Sequence, residues 1–366
     1  MSATILGIGC VTPLGVDWKT VRDNLSAGRR PEAVLLPGPP GHPALPVYRV
    51  PAPYEYAHPR LRRSSAISHF ACAAAAAAVA QSGPLPAGRT ALVFAASDGA
   101  VIYTRRFYEE VVKSGSGSPL LFPETVYNAP ASHVAAMLGI DGPVLTMVSD
   151  ATAGTDALAT AAELLRSGEA DRCLVVASQE ADWILCEGYR RWGLAAPGSP
   201  TRSRAILSEG AVALVLGEAS PGDVVFETIH PGLRIARHSS LRECLERIYC
   251  ELADGMPPDV AILSASGARP GKVEEAALRK LFPGIRLDAP KKLAGEAFAA
   301  STLLQCAYAW QEICDGSARR ILVSAPGWSG QAGGAVLTAS APEGYAIRMD
   351  GKAAPSDLGS TAGIKD

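Results

Sequence analysis

Short apolar segments alternate with helical segments along almost the whole sequence. The apolar segments have the length of buried β-strands, and the segments between them repeat apolar residues at helical spacing or are rich in alanine. This alternation predicts an α/β fold. We predict strands over 4–9, 90–96, 144–148, 172–177, 211–216, 260–264, 320–324 and 332–338.

The same pattern divides the chain into two halves. It pauses near 221–223 and then resumes, which predicts one half over 1–220 and a shorter half over 221–345. We predict helices over 18–27, 64–81, 241–252, 272–282 and 296–313. The proline-rich segment 37–59 is predicted as a surface loop, and the polar residues 346–366 as a flexible tail.

Length and charge argue against several classes of protein. A chain of 366 residues is long enough to bury a large core. Its 34 Lys and Arg residues nearly balance its 36 Asp and Glu residues, so we expect neither nucleic-acid nor anionic-membrane binding. Only 19% of the residues are charged, against about 25% in an average soluble domain. This shortage predicts a large surface buried against another subunit.

The sequence has no sign of a membrane span or of a secretory signal. Its longest apolar run, Phe70–Ala80, is well short of the roughly 20 residues that cross a bilayer. The first residues lack a basic segment and begin directly with a predicted strand. The eight cysteines form no C-x-x-C pair and lie mostly in apolar segments, which predicts reduced core residues and no metal site. We therefore expect a cytoplasmic protein.

The segment 142–182 is the most informative part of the sequence. It is predicted to form a buried strand, a sharp turn, an amphipathic helix and a second buried strand. Ala151 falls at the turn, over the start of the helix. Free N–H groups at a helix start favour the negative charge of a nucleophile or an oxyanion, but alanine has no group that could react.

Five long segments, in the same order along the chain, carry a resemblance to a known family. They are LGIGCVTPLG (6–15), SPLLFPETVYNAPASHVAAMLGIDGP (118–143), LRSGEADRCLVVASQEAD (165–182), LSEGAVALVLGE (207–218) and GWSGQAGGAVL (327–337). In these segments the chain resembles the β-ketoacyl-acyl carrier protein synthases, or ketosynthases, which have the thiolase fold. The resemblance implies two similar α/β halves that form a five-layered αβαβα core.

The resemblance also implies which positions carry chemistry in that family. A ketosynthase uses a cysteine that holds the acyl chain as a thioester, and two histidines that stabilise the enolate and the oxyanion. In this sequence those positions fall on Ala151, Ser266 and Glu296, with Lys291 retained before Glu296. A serine and a carboxylate cannot supply two neutral imidazole donors. We therefore expect that the chain alone does not condense acyl units.

A ketosynthase-like chain without these residues resembles a chain-length factor, the non-catalytic partner of an active ketosynthase in type II polyketide or fatty-acid-like biosynthesis. The resemblance implies a heterodimer with that ketosynthase, and an acyl carrier protein whose phosphopantetheine arm the partner uses. The chain itself would bind no cofactor, and its short loops are more like those of aryl polyene systems. The side chains implied to line the tunnel or the interface are Phe107, Tyr108, Phe122, Thr125, Tyr127 and Asn128.

Two other functions stay open. One is a malonyl-carrier-protein decarboxylase, although relatives of that kind keep both histidines. The other is a stand-alone homodimer that binds acyl chains.

Ordinary structural roles also stay open for several polar residues. Cys186 lies in an apolar stretch and is interpreted as a core residue, and His133 as a structural histidine. Lys291 and Glu296 are interpreted as an internal ion pair, with a remnant acid/base pair as the alternative. The charged segment 105–113 is interpreted as a solvated helix face, with partner recognition as the alternative.

Overall fold

The computed structural model describes residues 3–51, 54–195, 205–235, 240–264 and 269–340. Its strands are β1 (Ala3–Val11), β2 (Ala33–Leu36), β3 (Leu45–Tyr48), β4 (Thr90–Ala96), β5 (Val144–Val148), β6 (Arg172–Gln179), β7 (Leu207–Ser208), β8 (Gly210–Glu218), β9 (Val224–Arg234), β10 (Val260–Ile262), β11 (Arg286–Asp288), β12 (Arg320–Pro326) and β13 (Gln331–Ala339). Its helices are α1 (Trp18–Ser26), α2 (Ala66–Ser82), α3 (Val101–Ser114), α4 (Ala129–Leu138), α5 (Thr152–Arg166), α6 (Trp183–Arg191), α7 (Leu241–Ala253), α8 (Arg269–Leu281), α9 (Lys291–Ala294) and α10 (Ala299–Cys314), with short 3-10 helices at Pro59–Leu61 and Phe122–Glu124. The predicted tail over 346–366 lies outside the described residues.

Ten of the strands form one sheet in the order β11-β10-β12-β13-β9-β1-β8-β6-β4-β5. Only two residue pairs join β1 to β9, so the sheet consists of two five-stranded parts. Within each part the strands follow the same order, with the same parallel and antiparallel neighbours. The two similar halves of the predicted fold are thus confirmed. The boundary predicted at residue 220 falls between β8 and β9, where one part ends and the other begins.

Helices cover both faces of each part of the sheet. Helices α2 and α4 pack on the outer face of the first part, and α7 and α8 on the outer face of the second. Helices α5 and α10 lie between the two parts and contact strands of both. The result is the predicted five-layered core, in which neighbouring residues of one strand point into different layers.

Helix α2 packs directly on β1 through small residues. A Cβ atom at Gly7 would lie 2.2 Å from the carbonyl oxygen of Ala78, and one at Gly9 would lie 1.9 Å from that of Ala74. No larger residue than glycine fits on the strand at these contacts. The alanine-rich composition of α2 is therefore a requirement of close packing, as well as a source of helix propensity.

Five strands are absent from the sequence prediction: β2, β3, β7, β9 and β11. The predicted loop over 37–59 contains β3, which pairs with β2 and with β7 in a small second sheet. Pairing between distant segments overrides the local proline-rich composition there. Strand β9 is absent from the prediction, because Pro231 and Gly232 interrupt its apolar pattern.

The helix predicted over 296–313 begins only at Ala299. Gly295 and Phe298 have positive φ angles of 85° and 50°, which end the short helix α9 and separate it from α10. A Cβ atom at Gly295 would also lie 2.7 Å from the ring of Tyr48. Both backbone conformation and space therefore require glycine at this break.

All eight cysteines are free, and six of them are buried as predicted. The core prediction is wrong for Cys250, on the outer side of α7, and for Cys314, the last residue of α10, which are both exposed. Within the described ranges, no group of three or more His, Cys, Asp or Glu side chains could hold a metal ion. No helix in those ranges is long and apolar enough to cross a membrane.

Glu180 connects two helices to the first part of the sheet. It directly follows β6 and is completely buried. One carboxylate oxygen accepts hydrogen bonds from the Ser65 hydroxyl (2.5 Å) and the Ile67 N–H (3.0 Å), and the other accepts from the Ile102 N–H (2.7 Å). These N–H groups belong to the first turns of α2 and α3, so one carboxylate caps both helices. Burial raises the pKa of Glu180 from 4.5 to about 7.

We predict that Glu180 makes the folded chain less stable as the pH rises from 4.5 to about 7. In this interval the unfolded chain loses the Glu180 proton while the folded chain keeps it, so a rising pH favours unfolding. Urea unfolding at several pH values should therefore give a flatter profile for Glu180→Gln than for the unchanged chain. The exposed carboxylate variant Glu169→Gln is the control. Parallel profiles for the unchanged chain and Glu180→Gln would contradict the prediction.

Candidate functional site

Ala151 is buried at the point where the chain turns from β5 into α5. Its carbonyl oxygen accepts a 2.7 Å hydrogen bond from the hydroxyl of Thr302 on α10. A Cβ atom at Gly154, in the first turn of α5, would lie 2.8 Å from the Cβ atom of Thr302. The start of α5 therefore packs tightly against α10. The side chain at this start is a methyl group, which can neither attack a thioester nor hold an acyl chain.

Hydrogen bonds connect the turn before α5 to the loop between β12 and β13. Oδ2 of Asp150 accepts bonds from the N–H of Ser329 (2.7 Å) and from its hydroxyl (2.5 Å). Oε1 of Gln331 accepts bonds from the hydroxyls of Thr152 (2.7 Å) and Ser149. We call these five residues the clasp. They come from segments that are far apart in the sequence and join beside Ala151.

Lys291 and Glu296 form a buried ion pair. Nζ of Lys291 lies 2.5 Å from Oε2 of Glu296, and each side chain is only 2% exposed. Lys291 also donates to the Ser264 hydroxyl at 3.2 Å, and the Phe298 N–H donates to Oε1 of Glu296 at 2.9 Å. Burial raises the pKa of Glu296, and the charge of Asp150 raises it further while Lys291 lowers it. The charge of Asp150, the residue before Ala151, thus acts on the buried ion pair.

Ser266, the third position implied by the resemblance, lies outside the described residues. The described chain stops at Ser264, whose N–H donates to Oε1 of Glu274 on α8 at 2.7 Å. The structure therefore relates Glu296 to the turn before α5 through the charge of Asp150, the residue before Ala151, and gives no position for Ser266.

Three aromatic rings are in mutual contact next to Glu296. The ring centroids of Tyr189, Phe298 and Trp328 lie 5.1 to 5.3 Å apart. The Tyr189 hydroxyl donates to Oδ1 of Asp98 at 3.2 Å. Burial, with a smaller effect of the charge on Asp150, raises the pKa of Asp98 to about 6. Aromatic rings and carboxyl groups of this chain thus surround the region beside Ala151.

Comparison with protein families finds a match for most of the first half of the chain. Residues 47–221, from β3 through β8, match the family described as Beta-ketoacyl synthase, N-terminal domain. This part of the chain, which is just under half of it, is similar to the N-terminal domain of the ketosynthases. It contains Ala151 and the turn before α5, whereas Lys291 and Glu296 lie beyond it.

One curated relative is similar to this chain in sequence. Nodulation protein E of Rhizobium leguminosarum bv. trifolii is 26% identical over 204 residues, which are 48% of this chain and 49% of that protein. The chain therefore matches about half the length of the curated relative.

Solved structures extend the likeness to almost the whole fold. The ishigamide ketosynthase/chain length factor superposes with a TM-score of 0.81 at 20% identity, over 93% of this chain and 100% of that one. The ketosynthase ApeO in complex with its chain length factor ApeC, from Xenorhabdus doucetiae, gives a TM-score of 0.76 at 16% identity, over 93% and 98% of the two chains. The thiolase fold implied by the sequence is confirmed.

The side chains predicted to line a tunnel or an interface lie at the surface of the part of the chain that matches this family. In chain order they are Phe107 and Tyr108 on α3, Phe122 and Thr125 at the second 3-10 helix, and Tyr127 and Asn128 just before α4. The ring of Phe107 contacts those of Tyr108 and Phe122, with centroids 6.0 and 5.7 Å apart. Tyr108, Phe122 and Tyr127 are exposed. Asn128 is exposed as well, whereas Phe107 and Thr125 are partly buried.

The segment 105–113 belongs to α3, and none of the residues of α3 is buried. The helix carries Phe107, Tyr108 and Val112 as well as charged residues. Arg105 pairs with Asp182 at 2.9 Å. A helix whose apolar side chains are also exposed is typical of a surface that another protein covers, which favours the partner-recognition interpretation of this segment.

Strand β5 was predicted to be buried, and this prediction is wrong. It lies at the edge of the sheet and pairs only with β4 among the described strands. Val144 and Val148 are 41% and 50% exposed. The apolar pattern is typical of a buried strand, but among the described strands the sheet ends at β5, so no described strand pairs with its outer edge.

Two side chains interpreted as structural have the surroundings of structural residues. Cys186 is buried, and burial raises the pKa of its thiol to about 12. Nε2 of His133 lies 2.8 Å from Oε1 of Glu124 and 3.2 Å from the hydroxyl of Ser64. These contacts join α4 to the second 3-10 helix and to the segment just before α2.

Sequence reasoning missed the polar and aromatic residues that distant segments bring to Ala151. Asp98 and Ser329 each follow closely on a buried strand, which is a signal for a polar residue at a strand end. Tyr189 and Trp328 have no such signal, because only the packing of α6 against the loop after β12 makes them neighbours.

We predict strong energetic coupling between Lys291 and Glu296. Lys291→Met or Glu296→Leu alone would leave one unpaired charge in the core and should lower the free energy of unfolding by about 3 kcal/mol or more. The double variant removes both charges and should recover most of this loss. Urea unfolding of the four proteins measures the coupling, with the exposed Arg166–Glu163 pair as the weakly coupled control. Simple additivity of the two single effects would contradict the prediction.

Proposed function

We propose that this chain is the non-catalytic partner of an active ketosynthase, a chain-length factor in type II polyketide or fatty-acid-like biosynthesis. The observation that carries the proposal is the methyl group of Ala151 at the start of α5, the position where the ketosynthase family has its nucleophile. Without a thiol at this position no acyl-enzyme thioester forms. The chain would act as a subunit of a ketosynthase complex and would not condense acyl units alone.

The buried ion pair supports the same proposal. The family's histidines donate hydrogen bonds to charge that develops on the substrate. Here the ammonium group of Lys291 donates to Glu296 and to Ser264. An ionised Glu296 would repel a developing enolate. A pair that neutralises its own charges gives little stabilisation to a transition state.

The exposed apolar residues in the part of the chain that matches the family support a heterodimer. No described strand pairs with the outer edge of β5, and α3 and the second 3-10 helix present further apolar side chains. Free strand edges and large apolar patches are typical of subunit interfaces. The solved structures named above include ketosynthases with their chain length factors. We infer that an active ketosynthase covers this surface, and that Phe107, Tyr127 and their neighbours border its acyl tunnel.

The remaining parts of the proposal concern the substrate and the setting. A further solved structure of this fold, at 16% identity and a TM-score of 0.76, is a type II acyl carrier protein in complex with its ketosynthase. We infer that an acyl carrier protein delivers its phosphopantetheine arm to the partner ketosynthase, and that this chain holds no cofactor. The chain would work in the cytoplasm, and an aryl polyene pathway is the setting we favour.

Co-expression with the ketosynthase encoded beside it tests the proposal. Native mass spectrometry should find a one-to-one complex that elongates acyl carrier protein substrates, while this chain alone is inert. A stable homodimer that binds no ketosynthase would replace the proposal with a stand-alone acyl-binding role. Consumption of malonyl-carrier protein by the chain alone would replace it with a decarboxylase.

We predict that a charge on the edge strand prevents heterodimer formation. In Val148→Asp a carboxylate would have to be buried in the interface, and this desolvation should weaken binding about a hundredfold or more. Val34→Asp is a matched control, because Val34 is also a valine on an edge strand and has a similar exposure of 47%. Native mass spectrometry should detect the complex with Val34→Asp and not with Val148→Asp. Equal binding of both variants would contradict the interface.

We also predict that Tyr127→Ala in the complex shifts the products to longer chains. The change removes a bulky ring at the proposed tunnel wall, and a deeper tunnel holds more extension units. Mass spectrometry of the products compares this variant with Met256→Ala, a change at an exposed residue after α7. Unchanged product lengths in Tyr127→Ala would count against the tunnel.

A further inference from the structure

Helix α3 lies on the surface and contributes no residue to the core. Its 14 residues are close to the length of about 12 to 15 residues below which an isolated helix is only marginally stable in water. Most helices in proteins gain their stability from a buried apolar face. Because α3 lacks such a face, its position depends on a few contacts with the rest of the chain.

Polar contacts hold the first two turns of α3. The N–H of Ile102 donates to the buried carboxylate of Glu180. One turn further on, Nε and Nη2 of Arg105 lie 3.1 and 2.9 Å from Oδ2 of Asp182. The side chains of this ion pair are 37% and 9% exposed. Two such bonds between a guanidinium and a carboxylate fix the relative position of both groups and are stronger than bonds between neutral groups.

Both members of this ion pair are held by further bonds. Asp182 is the N-cap of α6, and its Oδ1 accepts the N–H of Ile184 at 3.0 Å. Nη1 of Arg105 donates to Oε1 of Glu109, one turn along α3, at 2.7 Å. A carboxylate fixed at the start of α6 thus binds a guanidinium that is oriented by its own helix.

Beyond Arg105, α3 stands away from α6. A groove of about 590 Å³ separates the two helices, and its apolar lining includes Tyr108, Val112, Trp183 and Ile184. On its other side α3 contacts the second 3-10 helix, where the rings of Phe107 and Phe122 meet. The ion pair is therefore the contact that ties α3 to α6.

Glycines flank α3 at both ends. Gly99 precedes the helix with a φ of 67°, and Gly115 follows it with a φ of 77°. Glycine changes its backbone dihedral angles at low cost because it has no Cβ atom. The helix can therefore move about its two ends while β4 stays in the sheet.

From these contacts we propose that Arg105 and Asp182 form a latch, and that α3 opens as a unit when the latch breaks. Arg105 is a positioning residue, which acts through the place that it gives to the helix. Segments with few buried apolar contacts open locally, without unfolding of the whole protein. This inference goes beyond the proposed function and does not depend on it, because it concerns the chain without a partner.

Hydrogen exchange of the full chain, without any partner, tests the latch. Mass spectrometry of peptides measures the exchange of backbone amides in α3, with the largely buried α5 as the slow reference. In the unchanged chain we expect α3 to exchange faster than α5. Arg105→Ala should raise the exchange rate of α3 about tenfold or more, the effect of losing hydrogen bonds between charged groups, and should leave α5 unchanged.

Three further variants keep the test decisive. Arg106→Ala is the matched control, because it makes the same change at the next residue of α3, which is exposed, and should leave the exchange rate nearly unchanged. In Arg105→Lys the ammonium group replaces the paired bonds with a single one, so its rate should be intermediate. Asp182→Asn keeps an N-cap for α6 but removes the charge, and should speed exchange in α3 and not in α6. It decides the matter if Arg105→Ala does not fold.

Three results would overturn the latch. One is exchange in α3 as slow as in α5 in the unchanged chain, which would mean that α3 opens only when the protein unfolds. Another is exchange in Arg105→Ala and Asp182→Asn no faster than in Arg106→Ala. The third is an equal rise in α5, which would mean general loosening of the core.

Discussion

The whole site depends on the close contact of α5 and α10 in the layer that both halves of the sheet share. Gly154 allows the start of α5 to touch Thr302, and Gly232 and Gly333 allow β9 and β13 to approach the same helix turn. The segments pack so closely at each of these contacts that a residue larger than glycine would not fit. The start of α5 is thereby placed where strands, helices and loops of both halves meet, and Ala151 lies at this meeting point.

Buried charges in this chain serve to hold segments together. Glu180 joins the starts of α2 and α3, and Lys291 and Glu296 neutralise each other. Arg320 binds Glu227 and also the carbonyl oxygens at the end of α7. In each case the charged group is already satisfied by groups of the same chain. An active site instead keeps donors free for charge that appears on a substrate, and this difference agrees with the non-catalytic role proposed above.

The spacing of apolar residues and the length of apolar segments predict most of the fold, because both are properties of residues that are neighbours in the sequence. The strands over 90–96 and 144–148 are predicted with their observed bounds, and the resemblance carries Ala151 to the start of α5. Strand β3 is not predictable in this way, because it forms only by pairing with β2 and β7. The clasp is beyond local pattern for the same reason, since Asp150 and Ser329 meet only in the folded chain. The exposure of β5 depends on where the sheet ends, which no single segment determines.

The edge of β5, which pairs with no described strand, also bears on how the protein would be produced if the proposed heterodimer is its working form. An apolar edge strand can pair with any strand that offers matching backbone groups, including the same strand of another copy. A chain made in excess of the proposed ketosynthase partner would therefore self-associate through β5 and be lost as aggregate. Balanced synthesis of the two proteins would suppress this reaction, because the partner would occupy the edge as soon as it folds. The composition of the strand would then set a requirement on the dosage of two proteins.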